Sequence, residues 1–254
     1  MMPDWTSLLL ALAPLWPLLT LVLLLAPEVR RQVGWLVPLA ALPALLTAVG
    51  LPLGAELELP WLLLGAGLEL QEVNRVFLLV TALLWLVGGW SLPAVGRTRL
   101  SVWFLVSMAG SFSLLLAQDI PLFFLGYAMM SLASFGLVIH AGTPPAHHAA
   151  RVYLLFAVLG ELLLLLALVL IAHNAATLEL EFVMDRQPEP LLLALLLLGF
   201  GIKVGTPLLH LALPPAYAVT PLAAAVPMAG GLLHLGLYGW MRFLPLGQVA
   251  EPLW

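Results

Sequence analysis

The chain of 254 residues has no cysteine. That excludes disulfides, cysteine-ligated iron–sulfur clusters, c-type haem attachment and thiolate zinc sites. No cofactor is assigned to the chain, and any redox chemistry has to sit on partner chains. Charge is also scarce: 9% of residues are charged, and nine basic residues against thirteen acidic ones leave a net charge of −4. The basic residues are scattered, so there is no nucleic-acid footprint. The opening MMPDWTS lacks the basic n-region of a signal peptide, so the first apolar run is expected to stay as a membrane helix. A single lysine, Lys203, stands in the whole sequence.

Apolar residues fill the remaining space, at 63% of the chain. This is far above soluble composition and predicts an all-α polytopic membrane protein. Eight apolar segments can be marked: Trp5 to Ala26, Val33 to Leu53, Val73 to Leu92, Leu100 to Ala117, Ile120 to His140, Val152 to His173, Leu191 to Leu213 and Leu222 to Leu244. Each has about the length that crosses a bilayer core of about 30 Å. Internal prolines (Pro14, Pro17, Pro38, Pro43, Pro227) are compatible with such helices when neighbours or water satisfy the freed carbonyls. Arg30 and Arg31 lie in the first connection, Arg97 and Arg99 in the third, and Arg151 at the end of the fifth. The second connection carries Glu56, Glu58, Glu69 and Glu72, and the sixth carries Glu179, Glu181, Asp185 and Glu189 against Arg186. The arginine bias predicts cytoplasmic odd connections, with the N-terminus outside a cell inner (cytoplasmic) membrane.

Lys203 falls in the middle of the seventh segment, near the bilayer midplane. A charge there costs roughly 2.5–3.5 kcal/mol by insertion scales and marks a functional candidate when it faces a wet or partnered interior. The competing reading is a lysine that snorkels to an interface. Gly205, Thr206 and Pro207 follow, and Pro207 cannot donate to the Lys203 carbonyl, so a broken helix is expected at this point. The midpoints of the sixth and eighth segments carry Glu161 and His234. Three titratable residues on three helices thus share one depth, an arrangement suited to proton transfer. Glu161 also reads as a neutral structural carboxyl, and His234 as a packing histidine among Gly230, Gly231 and Gly236. His210, two turns past Lys203, extends the row if the helix resumes in phase.

Other polar features read as connections. His140, His147 and His148 bracket the fifth connection, IHAGTPPAHHAAR, which lacks acidic or thiol ligands and reads as a solvated loop; no metal site is assigned. Asp119 with Pro121 marks a short outside turn. The Gly65-Ala66-Gly67 stretch lacks the third glycine of a dinucleotide loop and reads as a turn. The two longest connections, Gly54 to Glu72 and Asn174 to Pro190, are each long enough for a short hairpin or surface helix.

The stretch GFGIKVGTPLLHLALPPAYAVTPLAAAVPMAGGLLHLGLYGWMRF resembles the signature region of the antiporter-like proton-translocating subunits of respiratory complex I, group 4 membrane-bound hydrogenases and Mrp-type antiporters. Lys203, Pro207, His210, Pro214, Pro221, Gly236, Tyr238, Gly239 and Arg242 fall on that pattern, and LFFLGYAMMSLASFGLV resembles the family's fifth helix. The resemblance implies a bundle with a broken seventh helix that carries protons through buried residues. It also implies a fifth-helix glutamate modulating the lysine, and an eighth-helix lysine or histidine passing the proton onward. Here the glutamate position reads Ala128, while the eighth-helix position is His234. Glu161 on the sixth segment is expected to take over the carboxylate's part if those helices pack together. Residues 1–254 are expected to form one transmembrane domain, with 1–99 as N-terminal helices and 100–244 resembling the first repeat of the family; the second, inverted repeat is expected either on another subunit or, if the sequence is a fragment, in the rest of the chain.

The leading functional expectation is a membrane subunit of an energy-converting complex, not catalytic alone, that contributes to proton or cation/proton translocation. Its expected partners are other membrane subunits, the lipid bilayer, and protons or monovalent cations, with no nucleic acid. The proton-transfer residues are Lys203, His234, Glu161 and His210, and the helix break is at Gly205 and Pro207. A non-conducting structural subunit and a membrane partner in ion-gradient-driven inorganic-carbon uptake are the competing readings.

Overall fold

The computed structural model describes residues 4–26, 36–63, 65–92, 97–175, 177–180 and 189–244. Helices dominate: α1 (Asp4–Leu25), α2 (Leu36–Leu39), α3 (Leu42–Gly50), α4 (Glu72–Trp90), α5 (Arg97–Leu116), α6 (Ile120–Ile139), α7 (Pro144–Ala175), α8 (Pro190–Val204), α9 (Leu213–Val219), α10 (Leu222–Pro227) and α11 (Leu233–Phe243). The protein is an all-α polytopic membrane protein. Among the described residues, six helical stretches are long and apolar enough to cross a membrane, the last running through α10 and α11. The second and seventh expected spans are shorter. The second is split into α2 and α3, and the seventh ends at Val204. Arg30, Arg31, Glu181, Asp185 and Arg186 lie outside the described residues.

Local chemistry sets the helix ends. Gln71 and Asn74 form a reciprocal capping box at the start of α4, and Asp119 caps α6, accepting from the Leu122 N–H at 2.9 Å. Pro121 follows at the first turn of α6, where a missing N–H costs nothing. The histidine-bearing connection differs from the expected loop. α7 begins at Pro144 and runs for 32 residues, with Thr143 Oγ1 accepting from the Ala146 N–H at 3.3 Å. His147 and His148 are exposed, but they occupy the first turns of a helix, because two successive prolines suit a helix start better than its interior.

A hairpin of β1 (Ala55–Leu59) and β2 (Ala66–Leu70) occupies the long second connection, Gly54 to Glu72, in antiparallel register from Ala55 opposite Leu70 to Leu59 opposite Ala66. Gly65, at φ +101°, makes the turn, while Ala66 and Gly67 already belong to β2. A single bridge, Leu68 to Ala117, joins the hairpin to the turn between α5 and α6, and a second, Asp119 to Glu179, joins that turn to the segment after α7. Asp119 holds this cap together, since its second carboxylate oxygen accepts the Gly67 N–H at 2.8 Å. Burial pushes the Asp119 carboxyl above its ordinary value, and the N–H bonds from Leu122 and Gly67 pull the other way.

Close helix crossings are made by glycine. A Cβ on Gly110 would stand 2.4 Å from the Met130 nitrogen, and one on Gly126 would stand 2.6 Å from the Leu114 nitrogen, so α5 and α6 touch backbone to backbone. Between α6, α8 and α11 lies an aromatic layer of Phe123, Tyr127, Phe200, Tyr238 and Phe243, with ring centroids 5.1–6.5 Å apart. This layer fixes the helices that carry the buried polar residues.

Candidate functional site around Lys203

Lys203 sits in the last turn of α8 and is 3% exposed. Its ammonium donates to the Ser131 hydroxyl on α6. It faces Glu161 Oε1 on α7 at 3.9 Å, longer than a hydrogen bond, so the pair is coupled by charge rather than by a shared proton. The rings of Tyr127 and Tyr153 lie 5.9 and 5.5 Å away, within cation–π range. The approach of α7 to α8 comes from glycine next to each charge. Gly160 precedes Glu161 and Gly199 lies one turn before Lys203; a Cβ on Gly199 would meet Leu164 at 2.7 Å. The side chains can meet because the backbones are close.

The helix break is a true end. Gly205 takes the left-handed conformation at φ +75°, where an L side chain is strained. The Gly201 carbonyl accepts the Gly205 and Thr206 N–H groups at 2.9 and 3.0 Å, and Thr206 Oγ1 donates to it at 3.3 Å. Pro207 therefore lies beyond the helix and reinforces a stop that glycine makes. It does not remove a bond from within a continuing helix. A second left-handed residue, Leu208 at φ +74°, turns the chain further.

His210 is exposed, whereas Lys203 and Glu161 are buried. The chain past the break resumes as one tight turn, His210–Ala212, and the His210 side chain is exposed. An in-phase continuation would have stacked it two turns above Lys203, and the left-handed residues remove that phase.

His234 stands at the start of α11, after a π-helical turn, Met228–Leu232, that follows Pro227. Its polar contacts run toward α4. The ring stacks on Phe77 at 5.4 Å and 14°, with Nε2 2.9 Å from Thr81 Oγ1 and 3.4 Å from the Phe77 carbonyl. Nδ1 bonds the Gly230 carbonyl on its own helix. Lys203 and His234 nevertheless belong to touching helices, because a Cβ on Gly236 would lie 3.3 Å from Lys203 Cβ.

The buried hydroxyls escaped the sequence reading. Ser131, Tyr127, Tyr153 and Thr81 are all fully or almost fully buried. Ser131 carried a usable signal, since it lies three residues after Ala128 and so on the same helical face. A further pair, Ser107 and Ser134, lies 3.2 Å apart on α5 and α6, and both share the Met130 carbonyl. Among the described residues no cluster of histidine and acidic side chains has metal-binding geometry.

A family model described as NADH:quinone oxidoreductase/Mrp antiporter, transmembrane, matches residues 117–254. NADH-ubiquinone oxidoreductase chain 4 of Prototheca wickerhamii is 27% identical over 196 residues, covering 74% of this chain and 38% of the relative. Hydrogenase-4 component B of Escherichia coli is 27% identical over 165 residues, covering 63% of this chain and 25% of the relative. The chain thus spans less than two fifths of these curated relatives. In the fold comparison, a chain of the Mrp complex from Dietzia sp. superposes with a TM-score of 0.79 at 22% identity, over 94% of this chain and 28% of that one.

Proposed function

Because the chain belongs to the NADH:quinone oxidoreductase/Mrp antiporter transmembrane family, we propose that it is a membrane subunit of an energy-converting complex in which Lys203 holds and releases a translocated proton. The observation that carries this reading is the lysine itself: an ammonium 3% exposed inside the helix bundle, held by one hydroxyl and facing one carboxylate. Buried charge of this kind is expensive and is rare without a role in ion movement.

Glu161 supplies the electrostatic partner in this reading, in place of the fifth-helix glutamate whose position is Ala128. The 3.9 Å separation supports modulation of the lysine by a charge that is felt without a fixed hydrogen bond. His234, on a helix that touches α8, is the onward carrier, because both its nitrogens can exchange protons. His210, exposed beyond the break, serves at most as an entrance group. The break at Gly205 leaves backbone polarity beside the cation, and such a break at membrane depth suits a water path. The subunit is proposed to act with other membrane subunits, in a cytoplasmic membrane with its N-terminus outside, as the arginine bias supports.

The test is ion pumping by the purified, reconstituted complex that contains the chain. Lys203→Ala is expected to abolish the chain's contribution, whereas normal pumping in an intact complex would identify a structural subunit.

A further inference from the structure

Thr81 lies on α4, is 0% exposed and has one hydroxyl hydrogen for two claimants. One is the Phe77 carbonyl, four residues back on its own helix, at 2.7 Å. The other is His234 Nε2, on another helix, at 2.9 Å. Close packing holds Thr81 against the histidine: a Cβ on Gly88 would stand 2.6 Å from the Ala223 carbonyl oxygen, and one on Gly230 would stand 2.6 Å from Leu84.

The remaining contacts of the ring constrain the hydrogens. The Gly230 carbonyl can only accept, so Nδ1 keeps a hydrogen in both charge states. With a neutral ring, Nε2 is a lone pair that faces the Phe77 carbonyl at 3.4 Å and needs a donor, which among the described residues the Thr81 hydroxyl supplies. When Nε2 takes up a proton it donates to Thr81 Oγ1, and the hydroxyl hydrogen turns back to the Phe77 carbonyl. Both states are then fully hydrogen-bonded, and the difference between them is one rotation about the threonine Cβ–Oγ bond. No covalent bond of Thr81 breaks. Phe77 stacks on the ring, and Tyr238, one turn along α11, packs on Phe77 at 5.2 Å.

We propose that Thr81 is a positioning residue for His234: its hydroxyl turns between donor and acceptor so that the ring can carry or release the Nε2 proton without leaving a buried polar group unpaired. The inference rests on the reading of His234 as a proton carrier, and it extends the working site to α4, which the titratable residues alone do not reach. Without the hydroxyl, the neutral ring points a lone pair at a carbonyl and only the doubly protonated ring is satisfied. A carrier held in one state passes protons slowly.

The experiment uses the full chain with isotope-labelled histidine in lipid nanodiscs, with the His234 nitrogen signals assigned through His234→Gln. The same variants are assayed for pumping in the reconstituted complex. Near neutral pH the neutral ring of the unsubstituted protein should show the hydrogen on Nδ1. Thr81→Val should raise the doubly protonated share of the ring and slow pumping by about tenfold, a typical effect of one buried hydrogen bond. Thr81→Ser should restore both, which separates the hydroxyl from packing. A ring spectrum unchanged in Thr81→Val, or equally altered in Thr81→Ser, overturns the proposal. If His234→Gln pumps normally while the ring still responds to Thr81→Val, the carrier reading fails and the control of the ring by Thr81 stands.

Discussion

Gly160 and Gly199 face one another where α7 crosses α8, so closely that a Cβ on Gly160 would stand 3.3 Å from the Gly199 carbonyl oxygen. Each of them adjoins or lies one turn from a buried charge. The distance between Glu161 and Lys203 is therefore set by the absence of two methyl groups.

Gly199→Ala should separate these helices. The added Cβ meets Leu164 at 2.7 Å, and overpacking of this kind costs about 1–3 kcal/mol. We expect lower thermal stability together with a loss of pumping that Gly231→Ala does not share, since Gly231 has open space. Melting temperature and reconstituted pumping measured on the two variants check this.

Removing the charge of Glu161 tests the coupling with little change of shape. Glu161→Gln should slow pumping by about tenfold or more, because the lysine loses the opposite charge that stabilises its protonated form. An unchanged rate, with unchanged reactivity of Lys203 toward an amine reagent, would remove Glu161 from the mechanism.

At the helix break, glycine and proline make different predictions. Gly205→Ala forces a side chain into φ +75° and against Leu213 at 2.6 Å, and should cost about 1–2 kcal/mol or more. Pro207→Ala lies past the helix end and should change stability by less. Thermal melts of both variants decide whether the break belongs to the glycine.

Asp119→Ala should loosen the hairpin from the helices. The substitution leaves the Leu122 and Gly67 N–H groups without their acceptor, a loss of about 1–2 kcal/mol for a helix cap. Faster hydrogen exchange at those two amides, with little change at the α5–α6 crossing, is the expected result.

Much of this was legible from residue types. The lone Lys203 within an apolar run announced a buried charge and Glu161 a neighbour for it, whereas the polar contacts of His234 run to α4. The membrane-helical class followed from the length of the apolar runs and the break from Gly205, whereas two of the eight expected spans proved shorter, the second splitting into α2 and α3 and the seventh ending at Val204. The condition set for His210, a helix resuming in phase, is not met, because the left-handed Gly205 and Leu208 cancel that phase. The helical setting of His147 and His148 was missed, because two prolines that end most helices also begin them well.

The sequence by itself determined that the chain is a polytopic membrane protein and which of its residues are costly there; both follow from hydropathy and from the length of the apolar runs. Tertiary structure alone decided which costly residues meet. Depth says nothing of azimuth, and neither the Ser131 contact of Lys203 nor the Thr81 contact of His234 depends on a charge or a motif. Both depend on how closely helices approach, and for His234 that closeness comes from Gly88 and Gly230, whose missing side chains admit the Ala223 carbonyl and Leu84.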